Sequence, residues 1–447
     1  MTTDTTRDQA TPPVPGAAAP AGPPPAPNYV DLLFHRMHAV APHPDSGFTI
    51  GVALHLQGPA PEPERIRDRV AALLPALPAL THLLRQRPPA WVPAAPDLER
   101  HITVRPLPTG PGPVAAALEE LLREPLPTDA PPWRMVLLRP ESSDSSDSTA
   151  GTDGTAESIL VYLTHHGLQD GGSLISVLET LFGPPLRPSQ LSVTARLPRL
   201  RRGDTRRGIP TLLDGGRAHR VWDAPGRPLS TGRRLLWAEV PLRRLREAAR
   251  AGGCGANDIH LAALGHAVAG WAAERWPPAD GVPLPVFVPV SLRTPEEAVL
   301  PGNRCVPVRV DLPGGPRTAA LRLAGTVFAT APLRSVAHRA FLHRFVTALP
   351  TWLHLWLVRW GTGPGRASIG SSFLLMRHRL TVGDARTVRV VPLMFCPDAT
   401  PMTVSLIAYA GIASVCFRID RALPGAETLP DRWVRAVEEL AAAGEPG

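Results

Sequence analysis

The chain has 447 residues, enough to bury a large core and to divide into two lobes. Its 47 basic residues are all arginine against 39 acidic ones, and the net charge of +8 is compatible with nucleic acid, anionic lipid or a phosphorylated cofactor. The densest arginine cluster, Arg196 to Arg207, has no interleaved aromatics, so no nucleic-acid partner is expected.

Residues 1–26 are rich in Thr, Pro, Ala and Gly and read as a disordered tail. No basic region followed by an apolar run marks a signal peptide, and no apolar run approaches a membrane span. Cys254, Cys305, Cys396 and Cys416 show neither pairing nor CxxC spacing, which argues for a reducing compartment, here the cytoplasm. Asn28 to Asp31 is a plausible N-cap for a short helix through Met37, and Phe48 to Leu56 alternates as a strand. Pro63 to Leu84 reads as an amphipathic helix kinked or ended by Pro75 and Pro78. A strand pair follows from Trp91 to Val104, then a helix from Val114 to Arg123 and a strand from Trp133 to Leu138. Glu141 to Glu157, a Ser/Asp/Thr/Gly run, reads as a flexible hairpin loop.

Ser158 to Leu163 is apolar and β-prone, and Leu174 to Phe182 is apolar at helical spacing. Between them Thr164-His165-His166-Gly167-Leu168-Gln169-Asp170-Gly171-Gly172-Ser173 breaks a strand into a helix through a glycine turn. A strand end aims a side chain rigidly while leaving it reachable, and alternation lets only one of the two histidines face a given cavity. The same residues also suit a structural histidine pair in an ordinary Asp-Gly turn. A metal site would need further ligands at suitable spacing, and none is evident nearby.

Pro184 to Arg227, rich in Pro and Arg, reads as an interlobe linker. The second half opens with a strand at Arg234 to Val240 and a helix from Leu242 to Ala251. Gly255-Ala256-Asn257-Asp258 then caps a long helix to Trp276. Val288 to Arg293 ends a strand, and Gly302-Asn303-Arg304 leads into another through Asp311. Phe341 to Trp360 reads as an apolar helix with Trp352, Trp356 and Trp360 in one stripe, a core or tunnel wall in preference to a membrane anchor. Strands at Met402 to Tyr409 and Ile412 to Ile419 and a helix after Pro430 complete the chain.

His165-His166-Gly167-Leu168-Gln169-Asp170-Gly171 is a complete match to the HHxxxDG signature of the condensation-type, CoA-dependent acyltransferase superfamily. The continuation Gly172-Ser173, the Asn257-Asp258 step, the Pro289-Val290-Ser291-Leu292-Arg293 segment and Gly302-Asn303-Arg304 resemble the bacterial wax ester synthase/diacylglycerol acyltransferase family, over about residues 28–443. One stretch departs from it. Upstream of Gly383 the family carries Asn-Val-Pro-Gly-Pro in a loop close to its active-site channel, and here the equivalent Ser371 to Leu375 has neither the Asn nor the Pro-Gly turn.

The resemblance implies an α/β fold of two chloramphenicol-acetyltransferase-like lobes, mixed sheets with flanking helices around an interlobe tunnel. The lobes are expected at residues 27–183 and 228–447. It implies transfer of an acyl group from acyl-CoA, as co-substrate without a permanent cofactor or metal, to an alcohol or diacylglycerol, with peripheral membrane or lipid-droplet contact. His166 is the expected general base, His165 turns toward the core, and Gly171 permits the turn. Asp170 is expected to pair with Arg293, with Asn257, Asp258, Asn303 and Arg304 supporting the motif, and the oxyanion donors are expected from the backbone or from Asn303. A carrier-bound donor with ester or amide formation, or a degenerate homologue that only binds, are the alternatives.

Overall fold

The computed structural model describes residues 23–39, 43–140, 158–192, 217–222, 229–230, 232–348, 350, 352–353, 356, 366, 369–398 and 400–443. The tail before residue 23, the loop expected from 141 to 157, most of the expected linker and Trp360 lie outside the described residues.

Two six-stranded mixed sheets carry the fold. In the first, strand β1 (Thr49–Gln57) is central, antiparallel to β6 (Ser158–His165) on one side and β12 (Ala385–Leu393) on the other. Strands β5 (Trp133–Arg139) and β4 (Ile102–Pro106) extend it beyond β6, and β11 (Thr381–Val382) closes the other edge. All eight residues of β6 are buried, which explains an apolar run without alternation. Helices α2 (Pro63–Leu73) and α5 (Gly171–Phe182) cover one face of this sheet, and α4 (Pro111–Arg123) covers the other. The expected helix from Pro63 to Leu84 stops at Leu73. Pro75 and Pro78 cannot donate to the ladder, and the chain continues as two 3-10 turns into a two-stranded hairpin, β2 (His82–Gln86) with β3 (Pro89–Pro93).

The second sheet runs β7 (Arg233–Pro241), β14 (Ile412–Asp420), β13 (Met402–Tyr409), β10 (Ile369–Leu375), β8 (Leu284–Ser291) and β9 (Cys305–Leu312). Helices α6 (Leu242–Ala251), α7 (Ala256–Arg275), α8 (Ala319–Thr330) and α10 (Leu429–Ala442) flank it, around a core that includes Trp271, Trp276, Phe417 and Trp433. The two-lobe α/β architecture expected from the sequence is present.

Three readings need correction. The expected division at residues 184–227 does not partition the strands, because β11 and β12 come from the second half and complete the first sheet. Ser371 to Leu375, expected as a loop, is most of the interior strand β10, parallel to β13 and β8. Its hydroxyls are used internally: Ser372 Oγ lies 2.5 Å from Ser405 Oγ, and Ser371 Oγ 3.1 Å from His260 Nε2. The helix expected from Phe341 to Trp360 starts earlier, as α9 (Val336–Ala348), and beyond Pro350 the described residues Trp352, Leu353 and Trp356 are again helical. Phe341 and Leu342 are buried in the second core, but Trp352 and Trp356 are 70% and 59% exposed, so these two line no core wall. Among the described residues no helix is long and apolar enough to cross a membrane.

Candidate active site

Strand β6 delivers the two histidines to its end. The His165 amide donates to Pro132 O at 2.9 Å and the His166 amide to Phe48 O at 2.8 Å, so both backbones are fixed before the chain turns. Tyr162 and Gln169, both buried, hydrogen-bond each other across the turn, and Gln169 Nε2 also donates to Ala79 O at 3.2 Å. Helix α5 then begins at Gly171 with Asp170 as its N-cap, its Oδ1 accepting from the Ser173 amide at 2.8 Å.

Asp170 is also the junction with the second half of the chain. Its carboxylate accepts from Arg293 at Nε (3.1 Å) and Nη2 (3.0 Å), and from the Arg304 amide at 2.7 Å. Burial acts to raise the carboxyl, but the Arg293 guanidinium and the two backbone amides outweigh it and hold Asp170 below the usual carboxylate range. Arg293 is fully buried and spends its remaining donors on the carbonyls of Glu297 (2.5 Å), Leu300 (3.3 Å) and Gly302 (2.6 Å). Gly302 adopts φ +94, and its amide donates to Leu168 O at 2.6 Å. A Cβ there would stand 2.9 Å from Asp31 Oδ2 and 3.1 Å from Trp91, so the close approach requires glycine. The pairing of Asp170 with Arg293, expected from the resemblance, is thus seen directly. The Arg304 side chain, by contrast, turns to Glu297 at 2.7 Å.

His166 leaves the strand toward a small aromatic enclosure, with Phe34 at 4.3 Å and Phe395 at 4.9 Å between ring centroids. Burial pushes its imidazole below the ordinary histidine value, and its own carbonyl, Asp170 and Asn303 act in the opposite sense. Asn303 Nδ2 donates to His166 O at 2.7 Å and to Asp31 Oδ1 at 2.9 Å. Both amide protons of Asn303 are therefore committed, which corrects the expectation that it supplies an oxyanion donor. The fully buried Asp31 also accepts from the backbone amides of Asn303 (2.7 Å) and Asn28 (2.9 Å). Burial raises its carboxyl above the usual range, against the pull of Arg304 and these amides.

His165 points the other way. Its Nδ1 accepts from the Gly167 amide at 2.9 Å, which leaves the ring proton on Nε2. The ring stacks on His35 at 4.3 Å and meets His38 edge-on at 4.9 Å. Burial, and then the neighbouring His35, His38 and His166, drive its imidazole far down, so it is neutral at physiological pH. Phe34, His35, His38 and Asp31 all lie on helix α1 (Tyr29–Ala39), which packs over the motif. Sequence reasoning missed this contribution. The available signal was polar residues, Asp31, His35 and His38, at helical spacing in an otherwise apolar segment.

Gly171 sits under β10, where an added Cβ would meet Leu374 at 3.1 Å. Asn257 and Asp258 lie in the first turn of α7. Asp258 accepts from the Gly255 amide at 2.9 Å and pairs with Arg334 at 2.6 Å, which is helix-end work in the second lobe. Their expected support of the motif has no counterpart among the contacts described for Asp258. Cys305 stands beside Asp170 and Arg293, yet burial, followed by Asp170, pushes its thiol strongly up, so it is no ready nucleophile. Among the described residues no group of three His, Cys, Asp or Glu could hold a metal ion.

A scan against protein-family models finds no match. Two strains of Mycobacterium tuberculosis carry proteins provisionally named diacylglycerol O-acyltransferases, each 27% identical over 250 residues. That match covers 46% of this chain and 49% of theirs, so it spans about half the length of these relatives. Among solved structures, the wax ester synthase/diacylglycerol acyltransferase of Marinobacter aquaeolei VT8 superimposes with a TM-score of 0.62 at 18% identity, over 94% of this chain and 99% of that one. The trichothecene 15-O-acetyltransferase of Fusarium sporotrichioides gives 0.64 at 11% identity, over 98% and 100%. The first condensation domain of the CDA synthetase gives 0.59 at 17%, over 95% and 97%. These structural likenesses show that the chain shares the fold of these acyltransferases and condensation domains, and it carries the complete His-His-x-x-x-Asp-Gly sequence at the end of β6.

Proposed function

We propose that the protein is an acyl-CoA-dependent O-acyltransferase with His166 as general base. The observation that carries this reading is the treatment of His166: its backbone is held by Phe48 and Asn303, its ring is enclosed by Phe34 and Phe395, and burial keeps it neutral. An alcohol is a poor nucleophile at neutral pH, and a neutral imidazole can accept its proton as the oxygen attacks the thioester carbonyl. The tetrahedral adduct then expels the thiolate as the carbon–sulfur bond breaks, and the imidazolium returns the proton to sulfur. No acyl-enzyme is required, in keeping with the raised Cys305 thiol. Asp170 and Arg293 act as positioning residues that join the motif turn to the second half of the chain.

The acceptor in this reading is an alcohol, with diacylglycerol and fatty alcohols as the first to test. The exposed Trp352 and Trp356 favour contact with a lipid surface, where such acceptors partition. The likeness to a condensation domain supports a second reading, ester or amide formation from a carrier-bound donor. Purified protein supplied with octanoyl-CoA and palmitoyl-CoA should release free thiol with an alcohol or diacylglycerol present. Preference for a carrier-bound donor with an amine would select the second reading. Absence of thiol release with every donor and acceptor would leave a binding protein.

A further inference from the structure

The C-terminal end of α5 opens into a groove of about 730 Å³ whose lining contains four arginines, Arg65, Arg69, Arg377 and Arg379, and no carboxylate. Asp384 pairs with Arg65 at 2.6 Å, while among the described residues no carboxylate pairs with the other three. Arg69 Nε caps Leu181 O at 2.8 Å, which blunts the negative end of the helix. The turn that presents Arg377 and Arg379 is pinned from below: the Arg377 amide donates to Ser192 Oγ at 2.9 Å, and His378 Nε2 meets Gln190 O at 2.9 Å. The floor is apolar, with Ile66, Phe182 and Val382. An arginine rim over an apolar floor suits a ligand with several phosphate oxygens and a flat, weakly polar base.

The groove and the motif occupy opposite ends of one rigid element. Helix α5 starts at the HHxxxDG turn and its last residues line the groove, about 17 Å away at the usual helical rise. Strand β10 gives a second measure: Leu374 touches the Gly171 position, and Arg377 follows within about 11 Å of extended chain. A pantetheine arm, extended from phosphate to sulfur, covers such a separation. We propose that this groove binds the nucleotide phosphates of the thioester donor, with Arg69, Arg377 and Arg379 as the anion-binding residues. This rests on the acyl-CoA reading above.

Arg377 and Arg379 are exposed, so their replacement should leave the fold intact. Titration calorimetry with adenosine 3′,5′-bisphosphate should show binding to the full chain. In the Arg377→Gln/Arg379→Gln protein that binding should weaken roughly ten- to a hundredfold, as expected for lost charge-assisted hydrogen bonds. In kinetics, the KM for octanoyl-CoA should rise relative to that for octanoyl-pantetheine, which lacks the nucleotide. Equal bisphosphate affinity in both proteins, or an equal KM rise for both donors, would overturn the assignment. Turnover of octanoyl-pantetheine by a protein that binds no bisphosphate would remove the groove and leave the proposed activity standing. Bisphosphate binding without cleavage of any thioester would do the reverse.

Discussion

Replacing Asp170 by Asn keeps the shape of the N-cap but removes the charge that faces Arg293. The wild-type carboxylate meets Arg293 at 3.0 and 3.1 Å, and neither partner has appreciable access to water. Breaking a buried ion pair from one side costs about 3–5 kcal/mol, because the remaining charge stays enclosed. Arg293 retains three carbonyl acceptors, from Glu297, Leu300 and Gly302, so the Asn variant belongs at the low end, about 3 kcal/mol. Asp170→Ala also loses the cap and orphans the amides of Ser173 and Arg304, for a total of about 4–6 kcal/mol. Because the folded Asp170 carboxyl is held below its unfolded value, its contribution is complete above about pH 4 and disappears as pH falls through the lower folded value. Urea unfolding from pH 7 to pH 3 should therefore show a gap between wild type and Asp170→Asn that is constant down to about pH 5 and narrows below about pH 4. Adding Arg293→Met to Asp170→Asn should recover part of the loss. A variant within about 1 kcal/mol of wild type, with a gap unchanged at low pH, would refute the reasoning.

Other perturbations test neighbouring parts of the site. His166→Ala should abolish thiol release while leaving the urea midpoint close to wild type. In wild type, burial lowers the His166 imidazole, so the acid limb of the kcat/KM profile should fall below the ordinary histidine value of about 6.5; a limb above it would contradict that assignment. Asn303→Ala frees the His166 carbonyl and leaves Asp31 with fewer donors; kcat/KM should drop about tenfold or more, with a destabilisation of about 1–3 kcal/mol in the same urea assay. Gly51→Ala places a methyl 2.1 Å from Tyr162 O in the β1–β6 pairing, and soluble yield should collapse, because backbone cannot yield there as a side chain can.

Local pattern carried the motif well. The apolar run into His165, the glycines after Asp170 and the helical spacing from Leu174 define a strand, a turn and a helix within 25 residues, and each is present. The partner of Asp170 came from resemblance and not from pattern, since 123 positions separate it from Arg293. What failed was long-range or context-dependent. Ser371 to Leu375 mixes polar and apolar residues because its hydroxyls meet Ser405 and His260 inside the sheet, and that satisfaction is invisible until both partners are placed. The tryptophan stripe predicts one continuous helix, but Pro350, two positions beyond Ala348, has no backbone N–H to continue the ladder. Helix α1 looked like a minor opening element, and nothing in its own sequence says that Phe34 packs on His166.

The placement of β12 has a consequence for how the protein is made. During synthesis β1 and β6 leave the ribosome early, but the strand that flanks β1 on its other side, residues 385–393, follows roughly 200 residues later. At ordinary elongation rates this is about 10–40 s in which the Gly51 to Gln57 edge, nearly all destined for burial, has no partner. An unpaired apolar edge is an invitation to pair with another nascent chain. Truncation anywhere between the motif and Leu393 would make that exposure permanent, so stop codons in the second half should yield insoluble product in place of an isolated first lobe.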